Sequence, residues 1–278
     1  MGDGQLPPEP QNLAEALAVK STGQDSGEAW CATGAAGRAF GGAVAAHALI
    51  FTMTRLPPGW RAHSLRVDFH AAGDITSPVI YQRAMTQSSR RFASARIDAL
   101  QADRLIATVL VSAHEPEPGP RRSSRPIAAW SEPHESPAAR GFAAPRADAD
   151  IRIPFDVRRA RPNSAPNARG DRCVAFWVRA RAPLPEGPGV FDAALAWCSD
   201  FSLTRVSALA ARSPRKSQLA TLNHSIWFHE PINPAEWLLF ELSSPSTHGT
   251  IAHAEARVFS LTGRLTATVG QTCLVRPC

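Results

Sequence analysis

The sequence predicts an α+β protein in which one continuous antiparallel sheet wraps two long helices. Three observations predict it: a weak internal repeat, one long proline-free apolar stretch near the start of each half, and alternating apolar and polar runs after each stretch. Residues 114 to about 145 divide the halves, because HEPEPGPRRSSRPIAAWSEPHESPAARGFAAP has a proline every few residues and neither a helical nor an alternating period. Such a segment reads as a linker, extended or partly disordered. The expected organisation is an N-terminal unit at 1–113, a linker at 114–148 and a C-terminal unit at 149–278.

The repeat carries the strongest part of the prediction. At an offset of 159, VDFHAAGD (67–74) falls on IWFHEPIN (226–233), and PVIY (78–81) falls on WLLF (237–240). One inserted residue later, RLIATV (104–109) falls on RLTATV (264–269). Collinear order with a single insertion favours duplication over chance.

In the first half, GRAFGGAVAAHALIFTMTRL (37–56) runs without proline from a pair of glycines to the stop PPG, which predicts a helix of about four turns. In the second half, GPGVFDAALAWCSDFSLTRVSAL (187–209) repeats that order, with Ala194, Trp197, Cys198 and Phe201 on one face. Strands follow each helix: Ala93, Ala95, Ile97 and Ala99 alternate with polar residues, as do Leu265, Ala267 and Val269. Ala102-Asp103 and Thr262-Gly263 separate consecutive strand runs and predict hairpins. Each such unit leaves a sheet edge bare, so two copies would join edges into one sheet.

Composition narrows the function classes. With 278 residues, 44% of them hydrophobic, the chain can bury a core. It has no run of eighteen apolar residues and no signal-peptide order at its start, so a cytoplasmic protein without a membrane partner is expected. The five cysteines are scattered, with no CxxC pair, and no metal or organic cofactor is called for. A formal charge of +6 rests on arginine, since Lys20 and Lys216 are the only lysines. Arg121, Arg122 and Arg125 cluster in the linker, and no aromatic residues interleave with them, which argues against nucleic acid as partner. Scattered arginines suit the phosphates of a small ligand equally well.

Several stretches resemble the thioesterase II family, the double hotdog acyl-CoA thioesterases. GRAFGGAVAAHAL resembles the first-helix signature of that family, and HSLRVDFHAAGD (63–74) its "HSLH..F..PGD" strand. AALAWCSDFSLT (193–204) resembles its "LAYASD" helix, LNHSIWFHEPINPAEWLLF (222–240) its "LDHSIWFHRPF...WLLY", and GRLTATVGQTCLVR (263–276) its "GRLVASVAQEGLIR". The resemblance implies two tandem hotdog units, an acyl-CoA or acyl-carrier thioester as partner, hydrolysis by activated water and, by analogy, a homodimer. It also implies three water-holding side chains, of which Gln271 is retained. The hydroxyl position falls on Pro245, between Ser244 and Ser246, and the carboxylate position falls on Asn223.

An amide orients water but has no useful basicity, so Asn223 predicts a degraded catalytic set. The consequence is a slow thioesterase, a protein that binds acyl thioesters or other hydrophobic ligands without hydrolysing them, or altered chemistry such as that of a lyase or cyclase. Asp200 is the candidate to replace the missing acid, although capping its helix or bonding the sheet is the favoured role. At the head of the first helix, Phe40, Gly41 and Gly42 suit close approach of an acyl carbonyl to backbone N–H groups, and equally suit tight packing of helix on sheet. His70, which the repeat pairs with His229, and Trp227 complete the expected substrate-binding set. His224 and His229 lie five apart in a strand, hence on opposite faces, which argues against a shared metal.

Overall fold

The computed structural model describes residues 10, 12–34, 37–126, 129–139, 154–163, 173–213 and 217–278. The first half contains α1 (Leu13–Ala16), β1 (Lys20–Ser21), β2 (Ser26–Ala29), α2 (Gly41–Met53), β3 (Arg61–Phe69), β4 (Val79–Ser88), β5 (Phe92–Gln101) and β6 (Arg104–His114). The second contains β7 (Phe155–Ala160), β8 (Val174–Ala180), α3 (Val190–Ser199), α4 (Leu203–Ala210), β9 (Ser217–Phe228), β10 (Leu238–His248), β11 (Ile251–Phe259) and β12 (Leu265–Pro277). All described strands form one sheet of twelve in the order β1-β2-β4-β5-β6-β3-β9-β12-β11-β10-β8-β7. The halves meet where β3 pairs antiparallel with β9, Leu65 opposite Ile226 and Val67 opposite His224. The joined edges predicted from the repeat are these two strands.

The repeat extends to individual hydrogen bonds. His70 N–H donates to the Ile106 carbonyl and His229 N–H to that of Thr266, and the two imidazole Nε2 atoms stand 3.0 and 3.1 Å from Thr108 and Thr268 Oγ1. Between β5 and β6, Ala102 and Asp103 take φ of 46° and 60°, the left-handed pair that a two-residue hairpin requires. Gly263, at φ 75°, does the same work in the β11–β12 turn.

Helix α2 is buried on every side, from Gly42 through Met53 with only Ile50 less covered, which is why its sequence lacks an amphipathic period. It lies against α3 head to tail: an added Cβ at Gly42 would meet Trp197 near the end of α3, and one at Gly189 would meet Met53 at the end of α2. The second long helix departs from expectation. It stops at Asp200, Ser202 takes a left-handed φ of 63°, and the chain restarts as α4. A non-glycine residue in that region redirects the backbone sharply, and the break places Asp200 at a helix end instead of along a helix face.

The linker is described at 114–126 and 129–139, and the second of these stretches is packed and not free. Trp130 is buried against Trp177 and Leu239, its indole N–H donates to Glu241 at 2.9 Å, and the Trp177 indole donates to the Ser131 carbonyl at 2.8 Å. The proline-rich composition hid one tryptophan large enough to pin the strand to the β7–β8 edge. We expect Trp130→Ala to lower unfolding free energy by about 3 kcal/mol in urea denaturation; a loss under about 1 kcal/mol would mean that this strap is passive. Among the described residues, no helix is long and apolar enough to cross a membrane, and no group of three His, Cys, Asp or Glu side chains is placed to hold a metal ion.

Candidate active site

The break after α3 places Asp200 beside the head of α2. Burial pushes its carboxyl up to about 7, against the opposing pull of hydrogen bonds from the Thr221 hydroxyl and the Gly42 N–H. Thr221 Oγ1 donates to Asp200 Oδ1 at 3.3 Å, and Gln271 Nε2 donates to Thr221 Oγ1 at 3.0 Å. The second amide hydrogen of Gln271, a residue with no exposed surface, points to Cys273 Sγ at 3.4 Å. His224, 1% exposed, closes the chain: Nδ1 is 2.8 Å from Gln271 Oε1 and Nε2 is 2.8 Å from Ser199 Oγ. A carboxyl near neutrality, a hydroxyl and an amide thus converge from α3, β9 and β12.

A β-bulge makes that convergence possible. Along the β9–β12 ladder His224 faces Gln271 and Asn223 faces Thr272, but the next pair is Thr221 with Cys273, so Leu222 is the extra residue. One extra residue reverses the inside-outside alternation. Thr221 therefore turns inward with Gln271 and Cys273, whereas strict alternation from His224 would have put Leu222 there. The matching bulge in β3 falls at His63 between Ala62 and Ser64, the repeat position of Leu222 (222 − 159 = 63). The first half carries Ala62 and Val111 where the second has Thr221 and Gln271 (221 − 159 = 62; 271 − 160 = 111). Neither can move a proton, so the duplication supports this polar set only once.

At the head of α2, Phe40 is the N-cap residue without a side-chain cap bond, and its ring packs 5.7 Å from both Trp197 and Phe201. The first N–H groups of a helix have no carbonyl of their own to receive them and carry the positive end of the dipole. Here the Gly42 N–H turns to Asp200. A Cβ on Gly41 would stand 2.8 Å from Asp200 Oδ2 and 2.9 Å from the Phe69 ring, so only glycine lets the carboxylate come this close. A cavity of about 440 Å³, lined by Trp60, Arg61, Phe191 and Asp192 among others, lies at the opposite end of the helix pair, by Gly189. Burial raises the Asp192 carboxyl to about 6, but its partners are the Arg61 charge and the Ala62 N–H, not a hydroxyl–amide relay.

Of the residues expected from sequence, Asp200, Gln271, Phe40, Gly41 and Gly42 come together. Asn223 does not. It sits opposite Asp68 and Thr272, its Oδ1 accepting the Thr272 N–H at 3.3 Å. Directly paired residues share a face, and Asp68 is on the solvent face with its ion-pair partner Arg66. A carboxylate at position 223 would have pointed away from Gln271, and its absence removes nothing from the cluster. Trp227 is 49% exposed on the same outer face. His70 is exposed and bonds Thr108, a scaffold contact repeated by His229. Ser246 is exposed beyond an irregularity in β10. Ser244 turns inward enough to donate to the His253 carbonyl at 2.7 Å with its Oγ 3.3 Å from that of Ser207, one residue removed from Cys273, which Ser207 also bonds. Thr221 and His224 were missed, the first because a bulge cannot be read from composition, the second because a lone strand histidine carries no signal of its own.

Two tandem hotdog units with one carboxyl–hydroxyl–amide cluster define a double hotdog protein. Residues 28–114 match the family model described as acyl-CoA thioesterase N-terminal domain, and residues 110–275 match the acyl-CoA thioesterase C-terminal domain. The chain belongs to the acyl-CoA thioesterase family. It is 28% identical to Acyl-CoA thioesterase 2 of Haemophilus influenzae over 260 residues, covering 85% of this chain and 87% of that one. To human Acyl-coenzyme A thioesterase 8 it is 26% identical over 257 residues, covering 86% and 81%. The solved structure of the acyl-CoA thioesterase II TesB2 from Mycobacterium marinum superposes with a TM-score of 0.81 at 28% identity, covering 96% of this chain and 98% of that chain.

Proposed function

We propose that this protein hydrolyses acyl-CoA thioesters with an intact water-activating set, Asp200, Thr221 and Gln271, and not with a degraded one. The observation that carries the reading is the unbroken hydrogen-bond chain from Gln271 through Thr221 to a carboxyl poised near neutrality. A carboxylate of that basicity at working pH is a useful general base. Thr221 and Gln271 fix its orientation and supply sites for the attacking water.

In the reaction, water oxygen bonds the thioester carbon while Asp200 takes a water proton. The carbonyl oxygen becomes an oxyanion beside the head of α2, where the helix dipole favours negative charge. The carbon–sulfur bond then breaks, the thiolate takes the proton back from Asp200, and carboxylic acid and thiol leave. Arginine side chains are the charge complement for the phosphates of the coenzyme.

Acyl-CoA turnover by wild type and three variants tests this. Thr221→Ala and Gln271→Ala are each expected to lower kcat by about 10- to 1,000-fold. Asn223→Asp on the solvent face should change kcat by less than about twofold, since a surface charge that far from the reaction perturbs it little. If Asn223→Asp gains activity while Thr221→Ala is unaffected, the degraded-set reading is right and this one is wrong.

A further inference from the structure

We propose that His224 is a positioning residue that sets the direction of the hydrogen-bond chain, holding the Gln271 amide so that the Thr221 hydroxyl proton points at Asp200. The inference rests on the reading of Asp200, Thr221 and Gln271 as the water-activating set and extends it by one member that touches neither water nor thioester.

The chain Ser199–His224–Gln271–Thr221–Asp200 can be proton-ordered in two complete ways. In the first, Ser199 turns its one proton from the Ala196 carbonyl to His224 Nε2, His224 Nδ1–H donates to Gln271 Oε1, Gln271 Nε2–H donates to Thr221, and Thr221 donates to Asp200. In the second, His224 carries its proton on Nε2 and donates to Ser199, which donates to the Ala196 carbonyl 2.9 Å away. Gln271 must then turn its amide over to donate to Nδ1, and its oxygen draws the Thr221 proton away from Asp200. Only the first order gives an ionised Asp200 the Thr221 hydroxyl as a donor beside the Gly42 N–H.

Three observations make His224 the group that decides between them. It is 1% exposed, so no water competes for its nitrogens. Burial lowers its basicity to about 4, so it stays neutral with one N–H, and its tautomer is a binary choice. The Gln271 amide has no exposed surface and all three of its described partners are protein groups, so its orientation is set by what His224 offers.

Two amides separate this role from simple packing, because they copy different imidazole nitrogens. The nitrogen of Asn lies where Nδ1 does, and that of Gln reaches toward Nε2. With acyl-CoA as substrate, His224→Asn is expected to keep kcat within about fivefold, while His224→Gln loses about 10- to 100-fold with KM unchanged. Melting temperatures of the two variants should agree within a few degrees. Nitrogen-15 spectra of the wild type should report the Nδ1–H tautomer. Equal kcat in the two variants, wild-type kcat in His224→Gln, or an Nε2–H tautomer would overturn the proposal. If Asp200→Asn and Thr221→Ala keep wild-type kcat in the same assay, the functional reading itself falls; if those two collapse while the histidine pair stays equal, only the positioning role does.

Discussion

Asp200→Asn is expected to make the protein less active and more stable at once. Asparagine keeps the shape and can still accept from Thr221 and Gly42, but it cannot take a proton from water. Removing a positioned general base costs about 100- to 10,000-fold in kcat. In wild type, kcat/KM should rise with pH and level off above about 7, the basicity to which burial lifts Asp200. The sign for stability is opposite. A carboxyl raised on folding binds its proton more tightly in the folded state, so its stabilising contribution is present below the ordinary carboxylate range and is lost as pH rises through about 7. Full conversion of that shift would approach 4 kcal/mol, but Asp200 is partly exposed and solvent returns much of it. An increase of about 1 to 2 kcal/mol for Asp200→Asn at pH 8 is the expected size. Thermal melts from pH 5 to 8 beside steady-state rates check both halves. Loss of activity with loss of stability would mean a structural carboxyl, and a wild-type pH profile in the variant would place the base elsewhere.

The fold was largely legible because its signals are local and repeated. The glycine-opened apolar run became α2, the alternation from Ala93 to Ala99 became β5, and the histidines matched across the offset make the same bond in each half. The site was legible only where a residue's role follows from its element. Gln271 and Asp200 were candidates, the one on a long strand and the other at a helix, but the family resemblance put the acid at position 223, and nothing in the sequence marks Asn223, next to His224, as facing the other way from Thr221. What separates them is the extra residue at Leu222, which turns Thr221 inward and leaves Asn223 facing Asp68. Bulges are set by the fit of two strands across the sheet, so the information lies in β12 as much as in β9. The break after α3 was hidden likewise, since Phe201 and Leu203 continue the apolar content of the helix while Ser202 takes a conformation that ends it.

Gly42→Ala is expected to have the second largest effect, and its comparison with Gly41→Ala separates packing from chemistry. A Cβ at position 42 would stand 2.4 Å from the Trp197 carbonyl oxygen and 2.6 Å from the Phe40 ring. The carbonyl belongs to the last turn of α3 and cannot yield unless the two central helices part. Overpacking of this kind costs about 1 to 3 kcal/mol, and because Asp200 lies three residues beyond Trp197, parting the helices also draws the carboxyl away from Thr221. At position 41 the obstacles are the ends of side chains, Asp200 Oδ2 and the Phe69 ring, which can swing aside. Gly41→Ala should therefore unfold within about 1 kcal/mol of wild type yet lose at least about tenfold in kcat, because the group that swings is the proposed base. Gly42→Ala should lose both. If the two variants lose stability equally and Gly41→Ala keeps its rate, the glycines serve helix packing alone. If the pattern holds, the Gly-Gly pair has two separable duties: Gly42 sets how closely α2 and α3 approach, and Gly41 leaves the space that Asp200 occupies at the helix head.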